Sequence, residues 1–130
     1  MIVIDASAVA EMLLRGPAAA AVERRVHDVR ETLHAPHLID AEVAQVVRRF
    51  ALRRDIGAEL GRAALEDLVE FPMHRHPHLA FLPRIWELRN NLSAYDAAYV
   101  ALAEVLDAPL ITLDRRLAAS SGHKARIELI

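Results

Sequence analysis

The residues of this chain best suited to chemistry are four acids: Asp5, Glu42, Asp96 and Asp114. Each stands where the sequence predicts the beginning of a helix. Carboxylate oxygens are the hard ligands that Mg²⁺ or Mn²⁺ requires, and such ions activate water against phosphodiesters. If the fold gathers these side chains at one edge of a sheet, the sequence predicts a divalent-metal site.

A purely structural interpretation of these acids is also open. An acid at a helix start accepts hydrogen bonds from unpaired N–H groups and offsets the helix dipole. Asp5, Asp96 and Asp114 fit that role well. Glu42 fits less well, because Asp40 is the more natural cap of its helix. The chemical hypothesis therefore depends on the set and not on any single member.

Four carboxylates held close together would repel one another. At about 5 Å and an effective dielectric of about 20, the repulsion is roughly 3 kcal/mol per pair. A divalent cation relieves this repulsion. Without the cation, we expect at least one acid to bind a proton more readily than an isolated carboxyl, because like charges raise its pKa.

Hydrophobic periodicity and turn residues divide the chain into alternating strands and helices. Strands are predicted at Ile2–Ile4, Leu33–Pro36, Leu110–Leu113 and Ile127–Ile130. Helices are predicted at Ala6–Leu14, at Ala18–Val29, at Leu38–Arg54, after Gly57 (with Leu60, Ala64, Leu65 and Leu68 facing inward), at Leu79–Asn90, at Ala97–Leu106 and from Asp114 to Ser121.

This alternation predicts an α/β fold, with a parallel sheet covered by helices on both faces. Ligands of such sheets bind beyond the carboxyl ends of the strands, near the switch in strand order. Asp5 and Asp114 both lie at such ends. The helix that carries Asp96 is apolar on nearly all sides, so we expect this carboxylate to be buried or to face a cleft.

Composition limits the alternatives. The 130 residues are 54% hydrophobic and 26% charged, which fits one globular domain spanning residues 1–130. The absence of cysteine excludes disulfides, zinc thiolate sites and cysteine nucleophiles. A net charge of −2 indicates that any nucleic-acid surface is local. No signal peptide or membrane span is predicted, so we expect a cytoplasmic protein.

Four segments carry a family resemblance: IVIDASAVAEMLL, LIDAEVAQVVRR, NNLSAYDAAYVALAE and PLITLDRRLA. Together they resemble PIN-domain proteins, and specifically the VapC toxins, in order and spacing along the whole of 1–130. The resemblance implies a PIN-like three-layer α/β/α sandwich with a short, mainly parallel central sheet. It also implies a metal-dependent endoribonuclease toxin of a type II toxin-antitoxin pair, using Mg²⁺ or Mn²⁺ and inhibited by a VapB-type antitoxin.

The resemblance assigns roles to the acids. Asp5 and Asp96 would be the principal metal ligands, and Glu42 and Asp114 would complete the acidic pocket as ligands or as groups that hold water. Three hydroxyls match positions near the acids, although they could equally be simple helix-end or strand hydroxyls: Ser7, Thr112 and Ser93. Water attack implies products with a 5′-phosphate and a 3′-hydroxyl.

Four arginines are candidates for binding the RNA backbone: Arg49, Arg53, Arg115 and Arg116. The first two share the Glu42 face of their predicted helix, and the others follow Asp114. Surface solvation explains each of them equally well. Two apolar stretches could contact an antitoxin helix or a second copy in a homodimer: Ala18–Val22 and Leu79–Trp86.

The segment Phe71–Pro77 is predicted to be irregular or weakly extended, because prolines interrupt it. His74, His76 and His78 alternate there and would share one face of a strand, where they could bind Zn²⁺ or Ni²⁺. A polar loop without a metal is the preferred interpretation.

Three other classes of function share part of this pattern. A phosphorylated receiver needs a lysine after a late strand, and the only lysine, Lys124, is poorly placed. A PIN-like scaffold that binds RNA or a partner without catalysis would not need all four acids. A PIN-like nuclease acting on DNA is poorly distinguished from one acting on RNA by sequence alone.

Overall fold

The computed structural model describes residues 1–27 and 30–130, and in these residues it shows five β-strands and seven α-helices. The strands are β1 (Ile2–Ile4), β2 (Leu33–Pro36), β3 (His74–His76), β4 (Leu110–Thr112) and β5 (Ile127–Leu129). The helices are α1 (Ala6–Leu13), α2 (Ala19–Val26), α3 (Ile39–Leu52), α4 (Ala58–Glu70), α5 (Leu82–Glu87), α6 (Ala94–Leu106) and α7 (Arg115–Ala118), with a 3₁₀ turn at Leu79–Phe81 before α5.

The sheet is parallel throughout, with the strand order β3-β2-β1-β4-β5. Strand β1 is central, and its Val3 pairs with His34 of β2 and Leu110 of β4. Helices α1 to α4 contact one another, and α5 contacts α6, as expected if right-handed crossovers place these two groups on opposite faces of the sheet. The predicted three-layer arrangement is confirmed, and the switch in strand order lies between β1 and β4.

The core lies where α6 packs on the sheet. The β1 and β4 side chains Ile2, Ile4, Leu110 and Ile111 are fully buried. Helix α6 contacts β1, β2 and β4, and its residues from Ala97 to Ala103 are all buried. Each large aliphatic side chain buried here contributes about 1.5–3 kcal/mol. This packing fixes the start of α6, and therefore Asp96, relative to the ends of β1 and β4.

The segment predicted to be irregular or weakly extended contains the edge strand β3 at His74–His76, so the preferred interpretation of a polar loop is wrong there. This strand pairs in parallel with β2, and His34 lies opposite His74. His34 Nδ1 and His76 Nε2 share a hydrogen bond of 2.8 Å, and the rings of His34 and His74 stack at 4.9 Å. His78 lies outside the strand. Within residues 1–27 and 30–130, no three histidine or acidic side chains are placed to hold a metal ion.

Two further predictions differ from the structure. Helix α3 begins at Ile39 and its N-cap is Leu38, so Asp40 is not the cap. Asp40 instead accepts a hydrogen bond of 2.9 Å from Arg75 Nε of β3. Leu60 is 51% exposed, because α4 buries only the face that carries Ala64 and Leu68.

The second predicted helix reaches Val26, and its last two predicted residues, 28 and 29, lie outside the described residues. In the described ranges, every helix is too short or too polar to cross a lipid bilayer.

Candidate acidic active site

Asp5 is the first residue after β1; its backbone is still extended, and α1 begins at the next residue, Ala6. Its Oδ1 accepts a hydrogen bond of 3.0 Å from Ala8 N, as expected of an N-cap. Ser7 Oγ also donates to Oδ1 at 2.6 Å, and Thr112 Oγ1 donates to Oδ2 at 2.6 Å. Asp5 is only 6% exposed. Its carboxylate is therefore held by the first turn of α1 and by the end of β4.

The two hydroxyls beside Asp5 have fixed proton directions. Ser7 Oγ accepts from Leu113 N at 2.9 Å, and Thr112 Oγ1 accepts from Asp114 N at 2.9 Å. Since a backbone N–H can only donate, each hydroxyl proton is free to bond to Asp5. This network connects the carboxyl ends of β1 and β4. Simple strand and helix-end hydroxyls would not need to converge on one carboxylate.

Asp114 is the N-cap of α7. Its Oδ1 accepts hydrogen bonds from Arg116 N at 2.7 Å and Leu117 N at 3.4 Å. The carboxyl group is exposed, and its Oδ2 has no hydrogen-bond partner among the residues that the structure describes. One oxygen thus caps the helix while the other remains available to a ligand.

Asp96 lies in the first turn of α6, three residues after the N-cap Ser93. Ser93 Oγ accepts a hydrogen bond of 3.1 Å from Asp96 N, so Ser93 caps the helix and the Asp96 carboxylate does not. The Asp96 side chain is half-buried, as expected for an acid on a helix with little polar surface. Ser93 is exposed and positions the start of the helix.

Glu42 lies one turn into α3 and is also half-buried. Its Oε2 accepts a hydrogen bond of 2.6 Å from the hydroxyl of Tyr99, which is only 2% exposed. The sequence pattern of four acids did not include Tyr99, so this contact was not predicted. A signal was present, because Tyr99 follows Asp96 by three residues and so shares its face of α6.

All four acids line one open cleft of about 480 Å³ at the carboxyl edge of the sheet. Ser7, Arg49 and Tyr99 line the same cleft. The structure therefore brings together side chains from α1, α3, α6 and the β4-α7 junction. Their proposed roles remain predictions, since the geometry shows proximity and not activity.

Burial raises the pKa of the carboxyl groups of Asp5, Glu42 and Asp96. Hydrogen bonds from Ser7 and Thr112 partly offset this rise in the pKa of Asp5. Neighbouring acids add a smaller upward effect: Asp114 on Asp5 and on Asp96, and Asp96 on Glu42. The expected direction is confirmed, but the principal cause is burial and not the like charges.

The donor set fits a hard divalent cation. All four acids offer carboxylate oxygens, which are hard ligands. The pKa values of Asp5, Glu42 and Asp96 are raised, and a bound cation would stabilise the charged form of these carboxyl groups. In the conformation described, within 1–27 and 30–130, no three acids are close enough together to hold an ion. Binding would therefore require the side chains to converge.

The four predicted arginines have different locations. Arg49 lines the cleft. Arg53 does not; its Nε donates to Asp55 at 3.0 Å, and its guanidinium lies 5.0 Å from the Phe50 ring centroid. Arg115 and Arg116 are exposed on α7 beside Asp114, outside the lining of the cleft. The structure thus places one of the four arginines within the cleft.

Comparisons with known proteins agree with this architecture. A family model described as PIN domain matches residues 2–121. Ribonuclease VapC12 of Mycobacterium tuberculosis is 45% identical over 130 residues, covering 100% of this chain and 99% of that protein. Ribonuclease VapC9 of the same organism is 44% identical, with 100% and 98% covered.

A solved structure supports the fold. The crystal structure of Mycobacterium tuberculosis VapC20, a toxin that cleaves the sarcin-ricin loop, aligns with a TM-score of 0.72. The alignment covers 95% of this chain and 97% of that one at 17% identity, so the likeness concerns the fold alone.

Proposed function

Because the chain belongs to the PIN-domain family and, within it, to the VapC ribonucleases, we propose that it is a Mg²⁺- or Mn²⁺-dependent endoribonuclease toxin. One observation supports this assignment best: acids from four separate segments line one cleft at the switch point of the sheet. Helix capping explains Asp5 and Asp114, but it does not explain why these two acids face the same cavity as Glu42 and Asp96.

Asp5 and Asp96 are the proposed principal metal ligands, with Glu42 and Asp114 as further ligands or as groups that hold water. When bound, the divalent ion would activate water and stabilise negative charge on the attacked phosphate. Ser7 and Thr112 hold the Asp5 carboxylate in one orientation through their hydrogen bonds of 2.6 Å. Tyr99 holds Glu42 in the same way.

Arg49 is the proposed contact to the RNA backbone, because it alone of the four predicted arginines lines the cleft. Arg53, Arg115 and Arg116 remain candidates for contacts farther along the strand. Bidentate guanidinium bonds suit phosphate oxygens.

Cleavage of total RNA tests the proposal. Purified wild type and Asp5→Ala are incubated with Mn²⁺ and with chelator, and new 5′ ends are mapped. We expect wild type to cleave only with Mn²⁺ and to leave 5′-phosphate and 3′-hydroxyl ends. Asp67→Asn, which changes an exposed acid of α4 outside the cleft, is the matched control and should cleave like wild type.

Several outcomes would reject the proposal. Equal cleavage by wild type and Asp5→Ala would exclude the acidic site, and a 2′,3′-cyclic phosphate would exclude attack by water. Preferential cleavage of a DNA strand of matching sequence would support a DNA nuclease. Tight RNA binding without cleavage under any condition would support a non-catalytic scaffold.

The remaining partners are proposed with the function. A VapB-type antitoxin would block the cleft and so inhibit cleavage. A cytoplasmic location follows from a cellular RNA substrate.

The predicted homodimer is supported by the exposed apolar side chains of Leu79, Leu82 and Trp86. Light scattering should give the mass of two chains of 14.5 kDa; a monomer at all concentrations would exclude the dimer. A single domain over 1–130 remains a prediction.

A further inference from the structure

A second cavity of about 430 Å³ adjoins the acidic cleft. It lies between α1 and α3 and extends to the turns that follow these helices, at Gly16 and Asp55. Ser7, Val46 and Arg49 line both cavities. A strand of RNA in the acidic cleft would therefore be adjacent to this second cavity.

The walls of the second cavity are largely apolar. Leu14, Phe50, Ile56 and Leu113 contribute its surface. Its charged groups are few, and Asp55 is already paired with Arg53 at 3.0 Å. A flat base fits such a cavity, because splayed bases of single-stranded RNA stack on aromatic side chains such as Phe50 and form hydrogen bonds through their edges.

Glu11 is the one carboxylate of this cavity that the structure holds in a defined orientation without an ion-pair partner among the described residues. Its Oε1 accepts a hydrogen bond of 2.6 Å from Ala18 N. Gly16 makes room for the group, since a Cβ at that position would collide with the Glu11 carboxyl. Oε2 has no hydrogen-bond partner within 1–27 and 30–130.

Arg49 supplies a cation at the junction of the two cavities. Among the described residues, its guanidinium has no hydrogen-bond or ion-pair partner. A phosphate that joins a nucleotide in the acidic cleft to a base in the second cavity would pass this guanidinium. The charges therefore match a nucleotide, because Arg49 offers a cation to the phosphate and Glu11 offers a hydrogen-bond acceptor to the edge of the base.

We propose that the second cavity binds the base of a nucleotide flanking the scissile phosphodiester and that Glu11 selects guanine. Guanine presents two adjacent donors, N1–H and N2–H₂, to a carboxylate. Uracil flanks its single N–H with two carbonyl oxygens, which a carboxylate repels. This proposal rests on the ribonuclease function above and adds the base that the site recognises.

Glu11→Gln tests the choice of base. The glutamine Oε1 can keep the bond from Ala18 N, which leaves an N–H₂ donor where the carboxylate oxygen was. With Mn²⁺ and a randomised RNA oligonucleotide library, wild type should favour guanine over uracil at one position beside the cut by roughly tenfold to 100-fold. The variant should lose this preference and gain cleavage at uracil. Inosine, which lacks N2–H₂, should be cleaved less efficiently than guanine by wild type only.

Two further variants separate charge from position. Gly16→Ala keeps the carboxylate but displaces it, so guanine preference should fall while uracil gains nothing. Glu23→Gln removes an exposed carboxylate of α2 that lines neither cavity and should keep the wild-type preference.

The outcomes distinguish this proposal from the function on which it rests. If wild type cleaves no RNA, the proposed function fails. If it cleaves RNA and Glu11→Gln has the same base preference, only the guanine site is excluded. Unchanged base preference combined with weaker copurification of the antitoxin would assign the cavity to the protein partner and overturn the proposal.

Discussion

Replacing Tyr99 with phenylalanine removes one hydroxyl group and tests how Glu42 is oriented. The hydroxyl donates to Glu42 Oε2 at 2.6 Å, and the ring is almost fully buried in α6. The pKa of Tyr99 is raised, principally by burial and by the nearby Glu42 charge, so the group stays protonated and can only donate to this carboxylate. The phenylalanine ring fills the same space, so the helix should keep its packing.

The expected magnitude follows from this contact. A hydrogen bond to a charged group contributes about 1.5–3 kcal/mol, and water at the half-buried Glu42 should recover part of that. Loss of a group that orients a metal ligand typically lowers metal affinity by roughly 10-fold to 100-fold. We therefore expect about tenfold weaker Mn²⁺ binding, with near wild-type cleavage at saturating Mn²⁺.

Two assays measure this effect. Calorimetric titration with Mn²⁺ in the absence of RNA gives the affinity directly, and cleavage rates over a Mn²⁺ series give the half-saturating concentration. Tyr95→Phe is the matched control, because Tyr95 lines the same cleft on the same helix and its hydroxyl has no hydrogen bond within the described residues. Equal Mn²⁺ affinity in wild type and Tyr99→Phe would refute the positioning role.

Two further substitutions test the stability of the site and of the surrounding fold. Thr112→Val removes the bonds to Asp5 Oδ2 and from Asp114 N in a fully buried position, and should lower the free energy of unfolding by about 1–3 kcal/mol in urea titrations; a loss below about 0.5 kcal/mol would contradict the role of this network. Glu104→Gln removes the charged partner of Arg84. The hydrogen bond from Arg84 is the main reason why the pKa of Glu104 lies below its ordinary value of 4.5. Because the pKa is lower in the folded state, this stabilisation is present above pH 4.5 and is lost as the pH falls through the folded-state value. The urea midpoints of wild type and variant should therefore differ at neutral pH and converge in acid, and a difference independent of pH would exclude the ion pair as its source.

The position of the acids could be predicted because it depends on local sequence. A β-branched run followed by Asp and then a helical pattern predicts both the end of β1 and the cap at Asp5. The same reasoning gives the cap at Asp114 after β4. These features involve residues a few positions apart, and the parallel sheet then brings the strand ends together.

The missed features depend on contacts between distant segments. Strand β3 is three residues long between Pro72 and Pro77, and it is extended because it pairs with β2, which periodicity cannot show. The bond from Tyr99 to Glu42 requires α3 and α6 to meet at the carboxyl edge of the sheet. Asp40 matched the pattern of a cap, but Arg75 binds it from β3.

The link between Asp5 and Thr112 joins positions 107 residues apart in the sequence. During synthesis, the first acid leaves the ribosome long before β4 and α7, which complete its surroundings. A nascent or prematurely terminated chain lacks Thr112 and Asp114, and has an incomplete sheet beside β1. The proposed site would thus be completed only when the last part of the chain has emerged from the ribosome.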